Sequence, residues 1–347
     1  MGRLSALVAA GLIVSSAPLA KVVNKDRGSS VSRQGPICRT GEILWCSPLR
    51  KLDQDRLAAE AAVKPGERPL YGNDNRMDWF RIDDPVVKAR GVASVALIRS
   101  SHLSPGSAGL TDLSATPVKL SQTNLCPDER FADQLSAAYC SGVLVESDVV
   151  LTAGHCLKEV SGAEKAPALS DVRFVFGFFV EREGARGRTQ FAPELIYEGR
   201  EVIAGRFPTN RGGAKGEDWA LVRLDRSVPA AVATAVPVKG KNKIPDGASL
   251  EVLGYPSGLP LKYAVGGAVR KNSDTAFFVT NLSTFQGNSG SGVFDSNTGE
   301  LVGILARGEI DYYFDESRGC ARPYMCPKTG CRGEDVVRVE RMMASPE

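Results

Sequence analysis

The sequence predicts an all-β fold, a sandwich or barrels, on three observations. From Tyr71 onward, short runs rich in Val, Leu, Ile and Phe are separated by Gly, Pro, Asn and Asp. Each run has the length of a strand, and several alternate apolar with polar positions. Long helical periodicity is absent, and the series continues over residues 71–340, which suits many short strands in one large β domain.

Taken in order, the runs are "VASVALI" (92–98), "SGVLVES" (141–147), "VVLTA" (149–153) and "VRFVFGFFV" (172–180). "WALVRL" (219–224) and "SLEVLGY" (249–255) follow, then "AFFVT" (276–280), "SGVFD" (291–295) and "LVGILA" (301–306). β-Branched and aromatic residues dominate them, as a pleated, half-buried surface requires. No internal repeat or low-complexity segment is present.

The N-terminus reads differently. Arg3 supplies a positive start, "LSALVAAGLIV" (4–14) an apolar core, and "SSAPLA" (15–20) small residues. Residues 1–20 are expected to be a secretory signal, cut between Ser16 and Ala20; the apolar run is too short to span a bilayer. Residues 21–70 are polar and irregular, with one short helix ended by Pro65, and read as an extension or propeptide of a zymogen. The main domain is then 71–347.

Bulk composition excludes several classes. The chain has 347 residues, 43% apolar and 24% charged, with a net charge of +3. That charge is too small to argue for nucleic acid or an anionic membrane surface. Later apolar runs are broken by charge, Gly or Pro, so no membrane span is expected. Eight cysteines behind a signal peptide imply an oxidising compartment and disulfides.

Three segments carry chemistry. "LTAGHC" sets His155, one of only two histidines, after Ala153 and Gly154 and before Cys156. Small neighbours permit close approach to the imidazole. "QGNSGSG" sets Ser289 between Asn288 and Gly290, with Gly287 upstream. A nucleophilic serine needs an exposed hydroxyl and backbone N–H groups aimed at a developing oxyanion, and flanking glycines allow such a turn. "GEDWALVRL" sets Asp218 at the mouth of an apolar strand, where a carboxylate can orient an imidazole. Each segment alone also fits an ordinary turn or strand end. The chain order His155, Asp218, Ser289 gives them joint meaning.

"LTAGHC" and "GNSGSG" resemble the signature motifs of chymotrypsin-like serine proteases. The resemblance covers about residues 71–340. "NLSTFQGNSGSGVF" (281–294), "GYPSGLPLKYA" (254–264) and "YGNDNRMDW" (71–79) are similar to segments of the bacterial branch that includes the glutamyl endopeptidases. It implies two antiparallel six-stranded β-barrels with the site in the cleft between them. It also implies roles: Ser289 as nucleophile, His155 as base and acid, Asp218 as its orienting partner, and the N–H groups of Gly287 and Ser289 as oxyanion hole. The family bridges the cysteines around its histidine, which pairs Cys140 with Cys156. That closes a loop of about 15 residues, worth roughly 3 kcal/mol in the chain-entropy model.

The departures concern specificity. The position where trypsin-type enzymes carry a selecting aspartate, six before the serine, is Ser283. Thr284 fits the glutamyl pattern, but the substrate-binding histidine of that branch is replaced by Leu305. Arg307 lies close by. These four residues are the expected pocket, with no side-chain preference assigned.

Among the other cysteines, Cys38 and Cys46 bracket a local loop, leaving Cys126 with Cys320, Cys326 and Cys331 as an even set. Zinc needs reduced thiolates, so disulfides are preferred for that set. His102 has no catalytic neighbours in sequence and is expected at the surface. Asn281-Leu-Ser283 matches a glycosylation acceptor but falls beside the expected pocket. The sequence reading is thus a secreted, extracellular or periplasmic serine endopeptidase, monomeric, without cofactor or metal, acting on proteins or peptides. Its rivals are a catalytically silent binding module on the same fold and an esterase.

Overall fold

A computed structural model describes residues 71, 74–157, 168–207, 217–240, 242–327 and 330–342. All belong to one compact unit, Leu44–Glu347. The expected signal peptide, the 21–70 extension and the Cys38–Cys46 pair lie outside the described residues.

Six strands form the first barrel: β1 (Ser94–Arg99), β2 (Ala138–Glu146), β3 (Val149–Thr152), β4 (Val172–Phe176), β5 (Ile196–Arg206) and β6 (Trp219–Leu224). Their order is β5-β6-β3-β2-β1-β4, and β4 returns to β5, so the ring closes with every pairing antiparallel. Six more form the second: β7 (Ser249–Gly254), β8 (Lys262–Lys271), β9 (Phe277–Thr280), β10 (Gly292–Asp295), β11 (Leu301–Arg307) and β12 (Glu334–Arg338). Their order is β8-β7-β10-β11-β12-β9, closed by the β8–β9 pair. Closure removes the exposed edges that an open sheet would present. The two short barrels expected from the resemblance are therefore present, and a sandwich is excluded.

Each barrel fills its interior with inward-facing side chains. Val95, Leu97, Val143, Leu151, Phe174 and Val222 pack in the first, in a cluster that continues through Leu253, Tyr255 and Phe294 of the second. Val252, Phe278, Val293, Leu305 and Val336 form the second barrel's own cluster. The Tyr255 hydroxyl donates to the Ser94 carbonyl at 3.0 Å and ties the two together.

The sequence runs match strands with informative exceptions. "VRFVFGFFV" stops as a strand at Phe176, because Gly177 takes φ +73° and turns the chain. β5 is not among the runs read from the sequence, because charges interrupt it and it is mostly exposed. A helix, α1 (Pro85–Val92), precedes β1. Asp84 caps it by accepting the N–H groups of Val86 and Val87, with Pro85 at its first position.

Three disulfides occur among the described residues: Cys126–Cys320, Cys140–Cys156 and Cys326–Cys331. The pairing implied for Cys140 is present, as is the even set of Cys126 with the C-terminal three. Cys126–Cys320 anchors the hairpin Tyr312–Asp315/Cys320–Pro323 across 194 residues of chain. His102 is half-buried in a short turn after β1 rather than at the open surface.

Candidate active site

β3 ends at Thr152, and the chain turns at once through Gly154–Cys156. β6 pairs with β3, Ala220 opposite Thr152, so Asp218 arrives beside that turn. Asp218 is 2% exposed and holds His155 twice. Its Oδ1 accepts the His155 backbone N–H at 2.9 Å, and its Oδ2 lies 2.8 Å from Nδ1. One carboxylate thus fixes both the backbone and the ring, which orients Nε2 away from it. Gly154 is required there: a Cβ would sit 2.4 Å from the Arg206 carbonyl oxygen and 3.2 Å from Asp218 Oδ1. The small residue before the histidine lets the carboxylate come this close.

The Ser289 turn is built on the first barrel as much as on the second. Ser141 of β2 donates its N–H to the Ser289 carbonyl at 2.8 Å and its hydroxyl to the Gly287 carbonyl at 2.7 Å. That hydroxyl in turn accepts the Tyr255 N–H at 3.1 Å. Gly290 has φ +86°, and a Cβ on it would meet the Ser141 oxygen at 2.1 Å and the Ala153 nitrogen at 2.9 Å. Ser289 is therefore seated against the strand and turn that carry His155. The Cys140–Cys156 bridge joins the same pieces, with Cys156 Sγ 3.8 Å from the Ser289 oxygen.

Within the turn, two N–H groups are turned outward. A trans peptide sends its C=O and the next N–H to opposite sides. The Gln286 carbonyl accepts the Ser257 N–H, so the Gly287 N–H faces the other way. The Asn288 carbonyl accepts the Ser291 N–H at 2.8 Å, and the Ser289 N–H likewise faces away. Neither outward N–H has a protein acceptor among the described residues. Gly287 adopts φ +92°, and a Cβ there would strike the Tyr255 carbonyl oxygen at 2.4 Å. Asn288 is buried, and its Oδ1 accepts the Ser291 hydroxyl at 3.0 Å.

Residues 74–79 of the "YGNDNRMDW" segment pack near this turn. Arg76 is buried over the Phe285 ring at 4.2 Å and is held by Asp74. Met77 and Asp78 pair with β8, where Asp78 meets the buried Lys262 at 2.8 Å. Asp311 accepts the Gln286 N–H at 2.6 Å. Burial pushes the Asp311 carboxyl up to about 7, against the pull of that N–H and of Arg76.

The expected pocket residues are in two settings. Ser283 and Thr284 are buried in the chain leading to Ser289. Leu305 packs inside the second barrel while its carbonyl accepts the Gly290 N–H at 2.7 Å. Arg307 does not stand in solvent: it bonds Asp335 at 3.0 Å and lies against the Phe277 ring. Sequence reasoning missed Glu334, whose Oε2 accepts the Thr284 hydroxyl at 2.6 Å. A sequence parallel existed, since "GED" (333–335) runs into β12 and "GED" (216–218) immediately precedes β6. Asp311 was missed too, in a loop without any pattern.

Cys140, His155 and Cys156 lie close enough to hold a metal ion, but both sulfurs are consumed in the disulfide. Asn281 Oδ1 accepts the Ala268 N–H, so its side chain is engaged in the fold. No helix among the described residues is long and apolar enough to cross a membrane.

Residues 140–304 match the family described as Trypsin-like peptidase domain. Exfoliative toxin A of Staphylococcus aureus is 33% identical over 178 residues, 47% of this chain and 54% of the toxin. The chain thus spans about half the length of that curated relative. Among solved structures, a Glu endopeptidase in complex with MPD is 16% identical, with a TM-score of 0.47, over 79% of this chain and 95% of the other. Human heparin binding protein is 13% identical, with a TM-score of 0.44, over 74% and 89%.

Proposed function

From a chain that carries a trypsin-like peptidase domain on the chymotrypsin fold, we propose a serine endopeptidase that works through an acyl-enzyme. The observation that carries this reading is the double hold of Asp218 on His155 beside the Gly287–Gly290 turn. Ser289 Oγ attacks the scissile carbonyl carbon while His155 takes its proton. The carbonyl oxygen gains the charge and is met by the N–H groups of Gly287 and Ser289. His155 then gives its proton to the leaving nitrogen, the C–N bond breaks, and an ester to Ser289 remains. Water, deprotonated by His155, attacks that ester and releases the acid and the free hydroxyl. Asp218 supports the imidazolium that forms.

Three disulfides favour an oxidising compartment, and export follows as part of the proposal. The experiment is labelling with a fluorophosphonate followed by peptide mapping. Phosphonylation at Ser289, lost in His155→Ala, is expected. An intact protein that is not labelled there is a binding module on the same fold.

A further inference from the structure

Resting on that peptidase reading, we infer that Asp311 and Tyr312 are positioning residues for the oxyanion hole: together they hold the peptide units on both sides of Gln286, so that the Gly287 N–H stays aimed at the scissile carbonyl oxygen. The need for a hold comes from Gly287. Its φ of +92° is open to glycine, whose backbone turns with little steric resistance, so its own conformation does not fix where its N–H points. A half-turn of the Gln286–Gly287 peptide would put the Gln286 carbonyl oxygen where that N–H now lies, and a carbonyl oxygen repels an oxyanion. A hole lowers the barrier only when its donors are aimed before the charge develops. The aim has to be imposed by neighbours on the far side of the loop.

Asp311 and Tyr312 act on two successive peptide units. Asp311 Oδ2 accepts the Gln286 N–H at 2.6 Å. The other side of that unit is also taken, since the Phe285 carbonyl accepts the Asn288 N–H at 2.9 Å. The next unit is held through Ser257, whose N–H donates to the Gln286 carbonyl. Ser257 sits at φ +55°, a value that residues with a Cβ seldom adopt, so it too needs support. Its hydroxyl is hydrogen-bonded to the Tyr312 hydroxyl, and its carbonyl accepts the Ser136 hydroxyl at 2.8 Å. The Tyr312 ring lies 5.4 Å from the Phe285 ring, which Arg76 also contacts, at 4.2 Å.

Two consecutive residues can do this because their own backbone is fixed. The Asp311 carbonyl accepts the Tyr324 N–H at 2.7 Å, and Tyr312 pairs with Pro323, which closes the base of the hairpin. The Cys126–Cys320 bridge and the Cys126 N–H, donated to the Ala321 carbonyl at 2.9 Å, tie the second strand of that hairpin to the loop before β2. The hairpin thus transmits a fixed position to the Gln286 backbone, and both residues act through the loop rather than on the substrate.

The test has two arms. In the first, hydrolysis of labelled casein is measured for the wild type, Asp311→Ala, Asp311→Asn and Tyr312→Phe, each matched for folding by thermal melt. Asp311→Ala is expected to lower kcat by about 100-fold with KM little changed, the pattern of a misaimed oxyanion donor. Asp311→Asn keeps an oxygen for the Gln286 N–H and should restore most of the rate, while Tyr312→Phe should show a smaller loss of the same kind. Wild-type kcat in folded Asp311→Ala, or a change confined to KM, overturns the inference. In the second arm, amide hydrogen exchange is followed in full-length Ser289→Ala, which needs no turnover. Adding Asp311→Ala should speed exchange at Gln286 and leave the amides of β10 as they were. Unchanged exchange at Gln286, or faster exchange throughout the second barrel, overturns the inference. Failure of the peptidase reading alone shows instead as a wild type without hydrolysis or fluorophosphonate label, with the local exchange difference intact.

Discussion

Asp218 reaches His155 through both carboxylate oxygens, one on the backbone N–H and one on Nδ1. Asp218→Asn keeps the size and can keep the bond to the backbone. Its amide NH₂ then faces Nδ1 and stabilises the wrong tautomer. Turnover is expected to fall about 10⁴-fold with little change in stability. Steady-state kinetics beside a thermal melt checks this. Near-normal kcat would remove Asp218 from the proposed triad.

Gly154→Ala probes the same contact from the backbone side. The new Cβ has nowhere to go between the Arg206 carbonyl and Asp218. Overpacking of this kind costs about 1–3 kcal/mol, and the shift falls on the His155 turn. Denaturant unfolding should show the loss, and kcat should drop in protein that remains folded. A variant as stable and active as the parent would mean that the turn has more room than its geometry allows.

Glu334 and Asp311 predict how stability depends on pH. Their ordinary values are 4.5 and 3.8, and the fold raises them to about 8 and about 7. Between those limits the native state keeps protons that the unfolded chain releases. Their favourable contribution is complete below the unfolded values and is lost as pH rises through the folded ones. Lys262, lowered to about 8, changes stability only above that pH. The melting temperature should therefore fall from pH 5 to pH 8, and Glu334→Gln should flatten the fall. Calorimetry across that range decides it, and a rising curve would contradict the burial of both groups.

Asn288 predicts independence from a charged N-terminus. The residue before the proposed nucleophile is a neutral amide bonded to Ser291, so no buried carboxylate waits there for an ammonium. The turn is instead held by Ser141, Ser257 and Ser291. Selective acetylation of α-amines should leave kcat unchanged. Loss of turnover on acetylation would place the terminus in the site.

The sequence made the site more legible than the fold. His155 and Ser289 sit in short motifs whose glycines Gly154, Gly287 and Gly290 have no room for a Cβ, since each is pressed against a backbone atom. Such contacts restrict residue choice locally, so they can be read locally. β5 and β12 were not read, because their pattern depends on distant partners: β5 is charged and pairs with β4 and β6, while β12 fills the gap between β9 and β11. Arg307 was expected at the pocket, and only the fold brings Asp335 to it. Glu334 was missed for the same reason, its partner Thr284 lying 50 residues upstream.

The central claim is that Ser289 is the nucleophile of a peptidase, and one comparison tests it most directly. Wild-type protein and Ser289→Ala, matched for folding by thermal melt, are assayed on the same protein substrate. Hydrolysis by the wild type, lowered about 10⁴- to 10⁶-fold by the single change, is the expected result. Hydrolysis by Ser289→Ala at near the wild-type rate would contradict it.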